Sequence, residues 1–89
     1  MRTLSIDKAT LKELDELPAK QYRQVVSAIF DLLKEPMPQY SKTLVGSPYL
    51  RLSLGEYRVI YRFDDASITV VAFGKRNDGE VYKAMKQKN

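Results

Sequence analysis

The sequence contains neither cysteine nor histidine among its 89 residues. Without cysteine, the chain has no disulfide and no thiolate nucleophile, and without histidine it has no imidazole to serve as acid or base. The usual ligand set of a zinc site is missing as well. We therefore expect no metal and no other cofactor, and any catalytic site has to be built from other residue types.

Long apolar runs are also missing from the sequence. No stretch approaches the roughly 18 apolar residues of a membrane span, and residues 1–6 lack the apolar segment of a signal peptide. We therefore expect a cytoplasmic protein with no membrane partner. Hydrophobic residues make up 44% and charged residues 29% of the chain, the balance of a globular domain. Since a chain of this length has room for one core, a single domain over residues 1–89 is expected.

The net charge of +4 comes from the second part of the chain. Residues 1–35 contain six basic and six acidic side chains, whereas residues 36–89 contain nine basic and five acidic ones. A local surplus of cations favours a polyanionic partner such as a nucleic acid. A charged surface that merely keeps the protein in solution explains the surplus equally well.

Two helices are predicted after a short opening strand. Residues 2–6 alternate as a strand does, and Asp7 is a suitable N-cap for a helix that ends at Pro18. A second helix is predicted from residue 18 to residue 35, where Pro36 stops it because proline lacks the amide donor. The two helices should form a hairpin.

The rest of the chain is predicted to be mainly extended. A loop over residues 37–48 leads into three strands, and Asp78 is a suitable cap for a short C-terminal helix. The expected fold class is therefore α+β, in the order β-α-α-β-β-β-α, with the helical hairpin packed on one face of an antiparallel sheet. The three predicted strands cover residues 49–54, 57–63 and 68–73.

A two-residue turn at Gly55 and Glu56 would set the register of the first two of these strands, because it pairs Leu54 with Tyr57. One face then carries the core residues Leu50, Leu52, Leu54, Tyr57, Val59, Tyr61 and Phe63. The opposite face, which we call the open face, carries Tyr49, Arg51, Ser53, Arg58, Ile60 and Arg62.

The open face would hold Arg51 and Arg58 on diagonal positions of neighbouring strands. Like charges at this distance repel each other, which favours an anionic ligand between them. Lys75 and Arg76 would extend this basic surface. Arginines also decorate exposed sheets without any ligand, so both interpretations stay open at this point.

An RNA-cleaving site would use the 2′-hydroxyl of the substrate as nucleophile. Arg58 and Arg51 would neutralise the pentacoordinate phosphate, and Arg76 could stabilise or protonate the leaving 5′-oxygen. Tyr82 is the available base or orienting group, since neighbouring cations favour its phenolate. A tyrosine in such a tail more often packs as an amphipathic anchor.

The run RLSLGEYRVIY from Arg51 to Tyr61, together with GKR at 74–76 and Val81-Tyr82, resembles the RelE branch of the RelE/ParE toxin superfamily. The resemblance extends to the opening strand, the helical hairpin and residues 42–46. It implies a type II toxin that acts as a metal-independent endoribonuclease and cleaves mRNA in the ribosomal A site. The implied partners are the ribosome, including 16S rRNA, its A-site mRNA, and an antitoxin that wraps the sheet and helices in a toxin–antitoxin hetero-oligomer.

By the same resemblance, Arg58 matches the phosphate-stabilising arginine of the family, Arg76 its leaving-group arginine and Tyr82 its C-terminal catalytic tyrosine. Arg51 falls where the family often has a lysine, and Tyr49 falls where a further lysine is frequent. The site expected is therefore catalytic at Arg51, Arg58, Arg76 and Tyr82, and RNA-binding at Lys42, Tyr49, Arg62 and Lys75.

Two alternatives share the scaffold. A ParE-like toxin would inhibit DNA gyrase through protein contacts and would not need Arg58, Arg76 and Tyr82 together. A non-catalytic RNA- or protein-binding module would have kept the fold without activity, and the missing lysine at Tyr49 favours that alternative.

Overall fold

The computed structural model describes residues 2–75, in which two helices and five strands follow one another. The expected C-terminal helix lies outside the described residues, and so do Arg76 and Tyr82. Within residues 2–75, neither helix has the length and apolar character that a membrane span requires. In chain order the elements are β1 (Thr3–Ile6), α1 (Lys8–Asp15), α2 (Ala19–Asp31), β2 (Ser41–Thr43), β3 (Leu50–Leu54), β4 (Tyr57–Phe63) and β5 (Ser67–Lys75).

Both helices begin where the sequence predicts them. The Asp7 carboxylate accepts a hydrogen bond from the backbone N–H of Thr10 at 2.9 Å, which satisfies one free donor of the first turn of α1. Helix α2 ends at Asp31, four residues before the predicted end at residue 35. There the chain tightens, and Leu32 donates its N–H to the carbonyl three residues earlier.

The five strands form one sheet in the order β1-β5-β4-β3-β2. The pairs β2–β3, β3–β4 and β4–β5 are antiparallel, whereas β1 pairs with β5 in parallel. The expected antiparallel sheet with the helical hairpin on one face is therefore confirmed, with one parallel pair that the sequence did not predict. The reason is topological: the helices carry the chain from β1 at one edge to β2 at the other, so no tight turn sets the direction of β1.

Strand β2 lies inside the segment predicted as a loop. Its three residues pair with β3, with Lys42 opposite Arg51 and Thr43 opposite Leu50. A strand of three residues is too short to produce a recognisable alternation of apolar and polar side chains. It nevertheless forms the edge of the sheet beyond β3.

The turn between β3 and β4 confirms the predicted register. Gly55 adopts a φ of 61°, in the left-handed region that glycine occupies without steric cost, and Leu54 pairs with Tyr57. The remaining pairs follow, so the predicted core face does pack against the helices. The buried members of this core are Leu14, Val25, Ala28, Ile29, Leu32, Leu50, Leu52, Val59, Tyr61, Ile68, Val70 and Phe73.

Candidate functional site

The strands carry cations and no anions. Their sequences contain five basic side chains, and neither aspartate nor glutamate occurs in any of β1 to β5. The sheet therefore has a positive field that no strand residue offsets, which attracts a polyanion. The five basic residues are Lys42, Arg51, Arg58, Arg62 and Lys75.

Three of these cations lie close together on the open face. Lys42 is directly opposite Arg51 across β2 and β3, and Arg51 is directly opposite Ile60 in β4. Arg58 is opposite Ser53, two residues along β3 from Arg51, so the two arginines take the predicted diagonal positions. Side chains at such positions are within reach of each other. One phosphate group could contact more than one of them.

None of these three side chains has an acidic partner in residues 2–75. The side chains of Lys42, Arg51 and Arg58 make no hydrogen bond or ion pair with the described residues. The Nε atom of Arg51 is fully buried and unbonded, although the residue as a whole is only partly buried. Unpaired guanidinium groups can bind phosphate oxygens in a bidentate manner, and in Arg51 such binding would use the Nη atoms, since Nε is buried.

A second apolar cluster lies on the same face as the arginines, and one of its members, Ile60, is directly opposite Arg51. Ile60 is completely buried, and Tyr49, Val71 and Ala72 are nearly so, with Leu44 packed beside them. Such a cluster supports the aliphatic stems of long cationic side chains. Tyr49 was predicted to contact RNA, and at 8% exposure it offers little surface for that.

Arg62 differs from the other open-face cations because an acid is near it. The Asp64 carboxylate accepts the backbone N–H groups of Ala66 and Ser67, each at 2.8 Å, and these bonds hold its pKa below the ordinary value. The positive charge of Arg62 lowers that pKa further. Part of the Arg62 charge is therefore offset by Asp64.

A β-bulge in β5 changes which of its residues face each side of the sheet. Ile60 pairs with Ala72 but Tyr61 pairs with Val70, so Val71 is an extra residue, and it lies in the open-face cluster together with Ala72. Simple alternation would have put Phe73 and Lys75 on the open face. The bulge instead puts Phe73 into the core and Gly74 on the open face opposite Arg58.

Lys75 is affected by the same shift. It pairs with Tyr57, whose ring stacks on that of Phe73 on the helix side of the sheet. The side chain is exposed but belongs by register to the helix side, so Lys75 does not extend the open face as expected. Sequence reasoning missed both the bulge and Gly74, although a glycine inside an apolar strand is a recognised signal of a bulge or a close approach.

An apolar groove lies elsewhere, between the helices and β1. Its lining contains no charged side chain, so it lacks the groups that phosphate binding needs. Phe30 is 55% exposed there and Leu11 is 43% exposed. The lining residues are Leu4, Ile6, Leu11, Leu14, Tyr22, Val26, Ile29 and Phe30.

Solved structures with the same fold are toxins. A chain of the archaeal RelE–RelB complex from Pyrococcus horikoshii is 30% identical, with a TM-score of 0.73 and coverage of 84% of this chain and 94% of that one. The toxin–antitoxin complex RelBE2 from Mycobacterium tuberculosis gives 26% identity, a TM-score of 0.72 and coverage of 84% and 98%. A mutant of Escherichia coli toxin RelE in the free state gives 23% identity, a TM-score of 0.81 and coverage of 98% and 96%, which shows the common fold.

No curated protein matches the sequence. One protein family does: its description is "ParE toxin of type II toxin-antitoxin system, parDE", and the match covers residues 4–79, which is most of the chain. The chain therefore belongs to this toxin family of type II toxin–antitoxin systems, and its likeness to RelE toxins places it in the RelE branch of the RelE/ParE superfamily.

Proposed function

We propose that the protein is a ribosome-dependent endoribonuclease that cleaves mRNA in the A site and thereby inhibits translation. The observation that carries the proposal is the group of unpaired cations on the open face, Lys42, Arg51 and Arg58, in a sheet whose strands contain no acid. RNA offers the anionic phosphates that such a face attracts. A site of action on translating ribosomes makes the protein cytoplasmic.

The proposed reaction is an internal transesterification. The 2′-oxygen attacks the adjacent phosphorus and loses its proton to a base, while the bond from phosphorus to the 5′-oxygen breaks and that oxygen takes up a proton. The products are a 2′,3′-cyclic phosphate and a free 5′-hydroxyl. No metal or cofactor takes part, since the positive charge is supplied by the side chains.

Arg58 and Arg51 are proposed to stabilise the extra negative charge of the pentacoordinate phosphate. Arg76 is assigned to the leaving oxygen and Tyr82 to the 2′-hydroxyl, on the family resemblance alone. Lys42, on the same open face, holds the RNA.

The other proposed RNA contacts stand on weaker geometry. Arg62 is exposed on the open face but shares its charge with Asp64. Tyr49 stays a prediction whose main support is its place beside the arginines, since its ring is largely buried. Lys75 is kept as a contact to ribosomal RNA from the helix side of the sheet.

The need for the ribosome follows from the chemistry. Neither histidine nor cysteine is present, so no side chain has an ordinary pKa near neutrality. A weak acid–base pair requires a substrate that is already held in line for attack. Orientation of this kind can contribute roughly 7–11 kcal/mol, and the decoding site is proposed to supply it.

A second protein is proposed to keep the toxin inactive. Relatives with this fold were crystallised in complex with RelB antitoxins. We infer that this chain likewise binds a small antitoxin in a hetero-oligomer. Co-expression with the product of the neighbouring gene should restore growth and yield a complex that co-elutes, whereas a neighbour that neither binds nor protects would contradict the inference.

The test of the proposed activity uses expressed protein and translating ribosomes. Induction of the parent chain should arrest growth, and primer extension should show cuts within codons of translated messages. Tyr82→Phe and Arg76→Ala should largely relieve both effects at equal protein levels. If these two variants remain as toxic as the parent, the assigned site is wrong.

The family match itself favours a second candidate, inhibition of DNA gyrase in the manner of ParE. This activity would not depend on Arg58. A supercoiling assay with purified gyrase separates the two candidates, because a ribonuclease should leave gyrase active. Inhibition that survives Arg58→Ala would favour the ParE-like function. A chain inactive in both assays would be a non-catalytic binding module.

A further inference from the structure

Gly74 occupies an unusual place in β5. It is the second-last residue of a nine-residue strand and pairs with Arg58. A glycine inside a strand weakens it, because it packs no side chain and loses much conformational freedom on folding. Its φ is not positive, so the backbone itself does not require glycine at this position. Such glycines often mark a close approach of a ligand to the backbone.

The bulge at Val71 and Ala72 is what brings Gly74 to the open face. Without the extra residue, the alternation of β5 would place Phe73 on that face and Gly74 in the core. With it, Phe73 enters the core and the position opposite Arg58 has no side chain. The bulge and Gly74 together thus leave the position in β5 opposite Arg58 without a side chain.

The other neighbour of Arg58 is small too. Ser53 in β3 is directly opposite it, so the row across the open face reads Ser53, Arg58, Gly74. Arg51, by contrast, lies between Lys42 and the bulky Ile60. The Cβ atoms of directly opposed residues lie about 4.5–5.5 Å apart. Among the described residues, Arg58 therefore has a small neighbour on each flank, whereas Arg51 has two long or bulky ones.

We propose that Ser53, Arg58 and Gly74 form a subsite in which the sugar-phosphate backbone of single-stranded RNA lies directly against the sheet. Gly74 gives the clearance, Arg58 donates to the phosphate oxygens, and the Ser53 hydroxyl is a further donor. A methyl group at position 74 would hold the RNA backbone away from Arg58. Since a charge-assisted hydrogen bond needs about 2.7–2.9 Å between its heavy atoms, even a small displacement weakens it. The subsite deepens the proposed ribonuclease function and rests on it.

The test measures binding of a short unstructured RNA oligonucleotide by fluorescence anisotropy at fixed low salt. Gly74→Val should weaken binding about tenfold or more, as expected for the loss of one charge-assisted bond, with Gly74→Ala between it and the parent. Ser5→Val is the control: it places a valine in the same sheet on the edge strand β1, opposite Thr69, which is five residues along β5 from Gly74. It should bind within about twofold of the parent, the spread expected for independent sites.

A double-mutant cycle shows whether Gly74 acts through Arg58. In the background of Arg58→Ala, Gly74→Val should change the affinity by no more than about twofold. Thermal melting separates clearance for RNA from a packing role of Gly74. If Gly74 gives clearance for RNA, Gly74→Ala should have an unchanged or raised melting temperature. If glycine is there only for packing within the protein, Gly74→Ala should lower the melting temperature. Four results would each overturn the subsite. They are RNA affinity of Gly74→Val equal to that of the parent, an equal loss of affinity with and without Arg58, a lowered melting temperature of Gly74→Ala, and a parent that does not bind RNA.

The cleavage assay on ribosomes is scored separately. If the parent binds RNA with this dependence on Gly74 but cuts no message, the proposed function fails and the subsite stands as a binding site. If the parent cuts messages and Gly74→Val cuts them equally well, the function stands and the subsite fails.

Discussion

Lys42 and Arg51 face each other directly across the ladder of β2 and β3. Like charges in directly opposed positions of a sheet destabilise it, and the strands contain no acid to offset them. The arrangement is unfavourable for the free protein and favourable for one that binds a phosphate between the two side chains. Stability and binding are therefore expected to respond in opposite directions when Lys42 is changed.

Lys42→Glu should stabilise the fold and weaken RNA binding. Replacing one of two opposed cations by an anion converts a repulsive pair into an attractive one, which should raise the free energy of unfolding by about 0.2–1 kcal/mol. The same change places a negative charge where a phosphate is expected. Urea denaturation and RNA anisotropy measure the two effects, and Lys12→Glu on the exposed surface of α1 is the charge-matched control. RNA binding that equals that of the control would contradict the role of Lys42.

Tyr61 connects the sheet to the segment that follows α2. Its hydroxyl donates to the carbonyl oxygen of Pro36 at 2.7 Å, and the side chain is completely buried. Tyr61→Phe should lower the free energy of unfolding by about 0.5–1.5 kcal/mol, because the carbonyl loses its donor. Tyr22→Phe, in a half-buried position of α2, is the control for removal of a hydroxyl. A loss no larger than that of the control would show that the bond contributes nothing.

The same tyrosine predicts a dependence on alkaline pH. Burial raises the pKa of Tyr61, and the Tyr40 and Glu35 charges raise it further, whereas the hydrogen bond with Ser41 lowers it. A raised pKa means that folding favours the neutral phenol. This contribution is complete below the unfolded value of about 10 and is lost as the pH rises through the folded value. Between about pH 8 and pH 11, the parent should therefore lose more stability than Tyr61→Phe.

Asp64 predicts the opposite dependence at acid pH. The N–H groups of Ala66 and Ser67 lower its pKa, so folding favours the carboxylate. Its contribution is complete above the unfolded value of about 3.9 and is lost as the pH falls through the folded value. Asp64→Asn keeps an acceptor oxygen but cannot titrate. The melting temperatures of the parent and of Asp64→Asn, measured between about pH 5 and pH 2, should converge as the pH falls. A difference in melting temperature that stays constant over this range would exclude this role.

The register of the central hairpin could be predicted because it is encoded locally. Gly55 is the residue that a two-residue turn needs at its first central position, and the pairing of Leu54 with Tyr57 follows from it. The face of every residue from Leu50 to Phe63 is then determined by the alternation of the strands. The diagonal placement of Arg51 and Arg58 was accessible from the sequence for this reason.

The phase of β5 could not be predicted, because it depends on contacts between distant residues. Val71 and Ala72 are both apolar, so nothing local indicates which of them is the extra residue. The choice is stabilised by Phe73, whose ring stacks on that of Tyr57 with centroids 5.4 Å apart. Only the assembled sheet therefore shows that Gly74 lies opposite Arg58 and that Lys75 lies on the helix side.

Arg58 and Arg62 belong to the same strand and open face, yet they should contribute unequally to RNA binding. Within residues 2–75, no acidic side chain pairs with the charge of Arg58, whereas Arg62 is close enough to Asp64 to lower the pKa of the Asp64 carboxyl. A cation that is already partly neutralised gains less from a phosphate. Arg58→Ala should therefore weaken RNA binding more than Arg62→Ala does.

The salt dependence of binding distinguishes a lost phosphate contact from a general loss of charge. For single-stranded nucleic acid, each phosphate contact contributes about 0.7 to the slope of log affinity against log salt concentration. Arg58→Ala should reduce the slope by about this amount, and Arg62→Ala by less. Arg58→Lys keeps the charge but not the planar fork, so it should retain the slope with weaker affinity. Equal slopes for the parent and Arg58→Ala would mean that Arg58 touches no phosphate. A general loss of positive charge would affect the slope similarly for Arg58→Ala and Arg62→Ala, because it does not single out one arginine on the face.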